Sequence, residues 1–517
     1  MLNRGEGAVG RGNGGRLRAW TVSWPVWALA GWCLAVMPMV PGARGAALEG
    51  GGTLEASVVT LEVTFKNYDF FQPWNKPTRA VRKHALVLGE RELITTAQNL
   101  ADRTLVRAQK GGRGRWFPAE VTWLDYHANV AVVTVSGEGF WEGLTAVPLS
   151  DEVPRQSQYE IVRWRDGNLE TRRADFSKFT VGEGAMSASP RMHLELNTEI
   201  GGLGWAEPVL AGGRVVGLTV AKGGNVCSVM PAPFVRRVLA AREGGRFPGL
   251  GYFDFVWQPG ENPATLDYLR VEGEPRGAVV IEIPKDAGAD YGLRRFDVLV
   301  EIDGFAVDIQ GDYLDPEYGH LMIEGLATRR HFAGDRMRMK VLRGGRPVEV
   351  EYRIPLTDYA NDLLPMHVFD QEPEYLVAGG LVFQPLHQPY LRGWGEDWRR
   401  RAPFRLVYFN NDSPTPERSS LVVMSQVLPD PINVGYQEFR NLVVEAINGR
   451  PVRTVADVQA ALRDPRDGVH RVEFFRGDGL QRLLLDATAL EESTGRVLQR
   501  YGIPAASVID AGPAAGG

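Results

Sequence analysis

From residue 53 to 235 the chain alternates short apolar runs with polar positions and turn residues. Runs at 58–65 (VVTLEVTF), 84–89 (HALVLG), 92–97 (ELITTA), 119–124 (AEVTWL), 129–135 (NVAVVTV), 193–197 (HLELN) and 213–220 (GRVVGLTV) follow this pattern. Their period-2 spacing and β-branched enrichment are those of strands. Many short strands without intervening helices predict a sandwich or barrel. Residues 233–242 (PFVRRVLAAR) switch to helical spacing, which predicts a helix closing this region. Beyond Gly244 the order changes to a glycine loop, a strand at 277–283 (GAVVIEI) and a strand pair at 336–354. A comparable order recurs at 372–490, and 297–307 (DVLVEIDGFAV) is similar to 442–452 (LVVEAINGRPV). This predicts an internal repeat of one small α+β module.

The pattern divides the chain into a leader at 1–47, a β region at 48–243, modules at 244–357 and 358–492, and a tail at 493–517. The Ala/Gly-rich end of that tail predicts disorder. In the leader, Arg4, Arg11, Arg16 and Arg18 precede an apolar run at 20–40, followed by Ala43, Gly45, Ala46 and Ala47. This is the layout of a signal peptide cleaved after Gly45 or Ala47, and it predicts a periplasmic or otherwise exported protein. The run approaches the length that spans a bilayer, so an uncleaved membrane anchor is the alternative. No later segment is long and apolar enough to span.

Composition narrows the function classes. A chain of 517 residues predicts about three domains. Its 63 acidic and 58 basic residues leave a net charge of −5, which argues against nucleic-acid binding. Of two cysteines, Cys33 lies in the leader, so the exported part holds Cys227 alone and no disulfide. No Cys/His cluster has metal-ligand spacing, and neither a metal nor another cofactor is expected.

Three segments give the β region its chemistry: 94–102 (ITTAQNLAD), 125–133 (DYHANVAVV) and 203–218 (LGWAEPVLAGGRVVGL). With 441–462 (NLVVEAINGRPVRTVADVQAAL), which resembles the strand, turn and helix of a PDZ module, they resemble the HtrA/Deg proteases. Residues 375–391 (YLVAGGLVFQPLHQPYL) and 425–439 (SQVLPDPINVGYQEF) resemble the plant-type Deg branch in particular. The resemblance covers nearly all of the exported chain and implies a mainly β fold, a chymotrypsin-like double β-barrel followed by two α+β PDZ domains. It places Gln98 at the histidine position of the serine-protease triad, Asn129 at the aspartate position and Trp205 at the serine position. Gln98 does not titrate, Asn129 cannot stabilise an imidazolium, and Trp205 has no nucleophilic atom. Ala206 and Glu207 replace the glycines that follow the serine, which alters the turn presenting oxyanion amides. His127, His193, Ser187 and Ser189 read as ordinary surface or turn residues, and Cys227 as a small buried hydrophobe.

PDZ domains bind peptides by adding them to a sheet edge, with the terminal carboxylate held by loop amides. The resemblance assigns that loop to Gly249, Leu250, Gly251 and Tyr252 in the first module. In the second it assigns Ala378, Gly379, Gly380 and Leu381, a module that could instead serve assembly. Residues 393–405 (GWGEDWRRRAPFR) read as a solvated insertion loop. The implied function is that of an exported pseudoprotease binding peptides or unfolded segments, as a chaperone-like protein or an adaptor for active relatives. Resemblance further implies a trimer-based homo-oligomer. An active endopeptidase with relocated residues and a structural envelope scaffold are the alternatives.

Overall fold

A computed structural model describes residues 53–509, apart from 185, 246, 286, 360–361 and 477–479. The leader at 1–47 and the last residues of the tail lie outside the described residues. Among those described, no helix is long and apolar enough to cross a membrane.

Strands β1 (Val58–Lys66), β2 (Thr78–Gly89), β3 (Glu92–Thr95), β4 (Arg103–Lys110), β5 (Phe117–Asp125) and β6 (Val130–Val135) close a barrel in the order β1-β2-β3-β6-β5-β4. A second closed barrel has the order β10-β11-β12-β9-β8-β7. It is built from β7 (Gln158–Arg165), β8 (Asn168–Gly184), β9 (Ser187–Asn197), β10 (Pro208–Ala211), β11 (Arg214–Gly223) and β12 (Val226–Pro231). Alternation explains the closure: along β9, Leu194 and Leu196 enter the core opposite Cys227 and Val229 of β12. Helix α1 (Ala232–Glu243) starts with Pro233 in its first turn and buries Val235, Val238 and Leu239 on one face. The fold is mainly β, a protease-like pair of barrels followed by PDZ-type α+β modules.

The first module contains β13 (Val256–Pro259), α2 (Pro263–Tyr268), β14 (Ala278–Glu282), β15 (Val298–Ile302), β16 (Phe305–Ala306), the hairpin β17 (Asp312–Asp315) and β18 (Gly319–Met322), α3 (Leu326–Arg329), β19 (Arg336–Arg343) and β20 (Arg346–Arg353). Its main sheet runs β13-β14-β15-β19-β20, which leaves β13 at one edge. The module shares a core with the second barrel, where the Phe179 and Tyr318 rings lie 4.8 Å apart.

The second module begins with β21 (Tyr375–Ala378) and β22 (Leu381–Pro385), followed by α4 (Gln388–Arg392), α5 (Trp398–Arg401) and α6 (Phe404–Val407). It continues through β23 (Val422–Val427), β24 (Leu442–Ile447), β25 (Arg450–Pro451), α7 (Val455–Ala461), β26 (Val469–Phe474) and β27 (Arg482–Asp486), and ends in α8 (Leu490–Tyr501) and β28 (Ser507–Val508). Its sheet runs β27-β26-β24-β23-β22-β21-β28.

Two expectations need correction. Residues 493–509, placed in the tail, form regular structure, and the Ala/Gly-rich end expected to be disordered lies outside the described residues. Helix α8 buries Val497 beside Tyr375, Val377 and Leu428, Gly502 ends it in the left-handed conformation, and β28 pairs with β21. The segment at 393–405 is not a solvated loop either. Trp398 and Leu406 are buried in a core with Tyr390, Leu421 and Val423, and its arginines line the outside.

Candidate functional site

Of the triad-register positions, Gln98 and Asn129 are joined on the first barrel, and Trp205 lies on the second, bonded across to His84 of β2. Asn129 takes a left-handed conformation (φ 55°) in the turn between β5 and β6, a conformation Asn tolerates. Its Oδ1 accepts the backbone N–H of Gln98 at 2.9 Å. Asp125, at the start of that turn, accepts the Ala128 N–H at 2.6 Å, and burial raises its pKa. Beneath Gln98, the buried Lys83 ammonium donates to the Thr96 carbonyl and hydroxyl at 2.6 and 2.8 Å and to the Gln98 carbonyl at 2.7 Å. Burial pulls Lys83 down to about 7. The amide and ammonium groups here brace a turn.

Trp205 sits in a turn that a carboxylate ties shut. Glu207 Oε2 accepts the Gly204 N–H at 3.1 Å, the Trp205 N–H at 2.9 Å and the Thr219 hydroxyl. The Glu207 N–H returns a bond to Thr219 Oγ1 at 3.0 Å. The Trp205 carbonyl accepts the His84 N–H at 2.8 Å, joining the turn to β2 of the first barrel. His84 Nε2 accepts the Trp164 N–H at 3.1 Å, and its Nδ1 lies 3.9 Å from Glu207. A forming oxyanion beside Trp205 would therefore meet a buried carboxylate on the amide that acyl-transfer chemistry needs free.

The other candidate nucleophiles and bases do not assemble. The Ser187 hydroxyl accepts the Ser189 N–H at 3.0 Å, and the Ser189 hydroxyl donates to the Gly251 carbonyl at 2.6 Å. Burial, with the neighbouring Arg191 charge, pushes His193 down to about 3, and burial lowers His127. Cys227 is fully buried, which pushes its thiol up to about 12 and makes a thiolate inaccessible. Among the described residues no His/Cys/Asp/Glu group could hold a metal ion.

The glycine loops differ from the expected nests. Leu250 is fully buried in a core that it shares with residues of both barrels. The Gly249 carbonyl accepts the Ala333 N–H at 3.1 Å, and the Leu250 carbonyl accepts the Thr357 N–H at 2.9 Å. Tyr252 is half-buried, and past it the Asp254 carboxylate accepts the Tyr291 and Tyr352 hydroxyls at 2.5 and 2.7 Å. In the second module, Ala378 and Leu381 are paired ends of a two-residue hairpin, and both are buried. Gly379 and Gly380, at φ 55° and 87°, make its turn. The Gly379 N–H already donates to Thr494 Oγ1 of α8 at 2.9 Å. Its carbonyl accepts from Asn433 Nδ2 at 2.8 Å, and the Gly380 carbonyl accepts the Leu428 N–H at 2.7 Å. These four residues form a capped turn in which the Gly379 N–H and both glycine carbonyls are bonded within the chain.

Sequence reasoning missed the groups that shape these sites, namely Glu207 as an acceptor, buried Lys83 and Arg191, and the Trp257 indole donating to Glu324 at 2.9 Å. Only the hairpin had a readable signal, two adjacent glycines between apolar runs.

Comparison with known proteins agrees with this architecture. A family model described as "PDZ domain" matches residues 364–510, a span that takes in α8 and β28. "Putative protease Do-like 13" of Arabidopsis thaliana is 24% identical over 455 residues, 87% of each chain. "Protease Do-like 2, chloroplastic", from the same organism, is 24% identical over 463 residues, 87% of this chain and 74% of its own. A solved structure, "HtrA-type protease AlgW with decapeptide", is 15% identical with a TM-score of 0.43, covering 59% of this chain and 96% of its own. With a PDZ domain model matching its carboxy-terminal part and Do-like proteases aligning along most of its length, the chain is similar to the HtrA/Deg proteases.

Proposed function

We propose that this chain is an exported HtrA/Deg member that binds extended polypeptide segments without cleaving them, as a holdase or adaptor. The observation that carries the reading is the Glu207 carboxylate on the Trp205 amide, in a site whose other register positions are Gln98 and Asn129. Trp205 cannot attack, Gln98 cannot accept a proton and Asn129 cannot stabilise an imidazolium, while Glu207 occupies an amide that an oxyanion needs.

Binding is assigned to the first module. β13 pairs on one side with β14 and ends the sheet, and Val256 on it is 50% exposed. An extended segment adds to such an edge through main-chain hydrogen bonds. In the second module β22 is already flanked by β21 and β23, which suits a structural role.

A labelled, unstructured peptide titrated into the full chain tests the reading. Saturable binding is expected, with the peptide intact by mass spectrometry. Val256→Asp should weaken binding about tenfold, roughly 1.4 kcal/mol. A cleaved peptide would overturn the proposal, as would binding that Val256→Asp leaves unchanged. No binding at all would favour the scaffold alternative.

A further inference from the structure

Arg191, on β9, is 1% exposed. Its Nη1 donates to the His127 carbonyl at 2.7 Å, but Nε and Nη2 have no hydrogen-bond partner. Asp125 and the Tyr359 hydroxyl act on this charge only through space. A buried guanidinium with one edge unpaired is strongly unfavourable unless an anion completes it. Arg191 lines a cavity of about 180 Å³ with His193, Asn129 and Gly184, and its Nη2 lies toward Gly184. The cavity has the hallmarks of a fitted site. Gly184 leaves room for the guanidinium, since a Cβ there would come within 2.5 Å of Nη2. Asn129 Nδ2 and both His193 ring nitrogens are also buried without partners. The unpaired Arg191 and Asn129 nitrogens are thus donors without an acceptor at one small space.

We propose that this cavity binds a monovalent carboxylate, seated side-on against the Nε–Nη2 edge of Arg191. The two nitrogens of that edge match the two oxygens of a planar carboxylate in a bidentate pair. Asn129 Nδ2 and a neutral His193 N–H are the further donors. Glu183 and Glu195 also line the cavity; Glu183 is exposed and Glu195 pairs with Lys178 at 3.7 Å. Their negative charge disfavours a dianion, which selects carboxylate over sulfate or phosphate. The carboxylate belongs to a small free acid or to a peptide terminus. The site stands independently of peptide capture at β13.

The test is the thermal unfolding midpoint of the full chain in rising sodium acetate, with sodium chloride holding ionic strength constant. A saturable rise is expected for acetate, with a smaller one or none for sulfate. Arg191→Met should abolish the acetate response and be no less stable than wild type without acetate, because it removes an unpaired buried charge. A flat wild-type titration, equal responses to acetate and sulfate, or an unchanged acetate response in Arg191→Met would overturn the proposal. Should that variant fail to fold, broadening of the carbon-13 acetate signal by wild-type protein decides alone, and no broadening refutes the site. Competition by a tripeptide with a free carboxy terminus, but not by its amide, identifies a peptide as the source. Competition by acids alone identifies a small metabolic acid.

Discussion

The two PDZ-type modules share strand order, yet they treat the edge next to the glycine loop in opposite ways. In the first, β13 keeps one side unpaired, and the Trp257 indole on it donates to Glu324 of the neighbouring helical turn. In the second, β21 pairs with β22 along the side a ligand would use, β28 extends that edge, and α8 caps the turn. Whether such a module can take a peptide thus depends less on its glycines than on whether the chain folds back over them.

The sharpest way to break this comparison is Gly380→Ala. The position has φ 87°, and an added Cβ would lie 2.2 Å from the Leu428 carbonyl oxygen. Backbone cannot give way as a side chain can, so about 3 kcal/mol or more of the second module's stability should be lost. Gly249→Ala in the first module meets only the flexible end of Leu356, at 2.5 Å, and should lose about 1 kcal/mol. Denaturant unfolding read by hydrogen exchange in each module measures both, and equal losses would break the comparison.

Next in size is Asp430→Asn. Asp430 accepts from the Ser493 hydroxyl at 2.6 Å and from Arg496 at 2.9 Å, fastening α8, and these donors hold its carboxyl down to about 2. Losing the charged acceptor should remove about 2 kcal/mol. Because the folded pKa lies below the unfolded value near 3.9, this stabilisation is present above about pH 4 and disappears as pH falls toward 2. The pH dependence of α8 exchange should vanish in Asp430→Asn.

Smallest is Glu324→Ala, which removes the Trp257 bond and should loosen the first module by about 1 kcal/mol. Exchange in α8 should stay unchanged. Loss of protection there would mean the two modules are not separate in this respect.

Much of the architecture was legible because strand burial repeats every second residue. The barrel runs and the similar segments at 297–307 and 442–452 are visible on that basis. The family resemblance assigned Gln98 and Asn129 to two positions of one site, and the Gln98 N–H donates to Asn129 Oδ1. Glu207 and Arg191 were not legible. A lone charged residue within or beside a strand reads as solvated, and its burial shows only once neighbouring amides and carbonyls are placed. Helix α8 was missed because the second module was ended at 492, inside the helix, and the rest was left as tail. There, Glu491 and Glu492 in the first turn and Gly502 at the end already mark a helix.

The central claim is that the barrel pair carries no hydrolytic site, and fluorophosphonate labelling beside casein cleavage tests it most directly. The account predicts no label and intact casein from purified protein, and the same from Trp205→Ala. Labelling or cleavage that copurifies with the protein and survives Trp205→Ala would contradict it, and would mean that other residues of this chain form a working nucleophile and base.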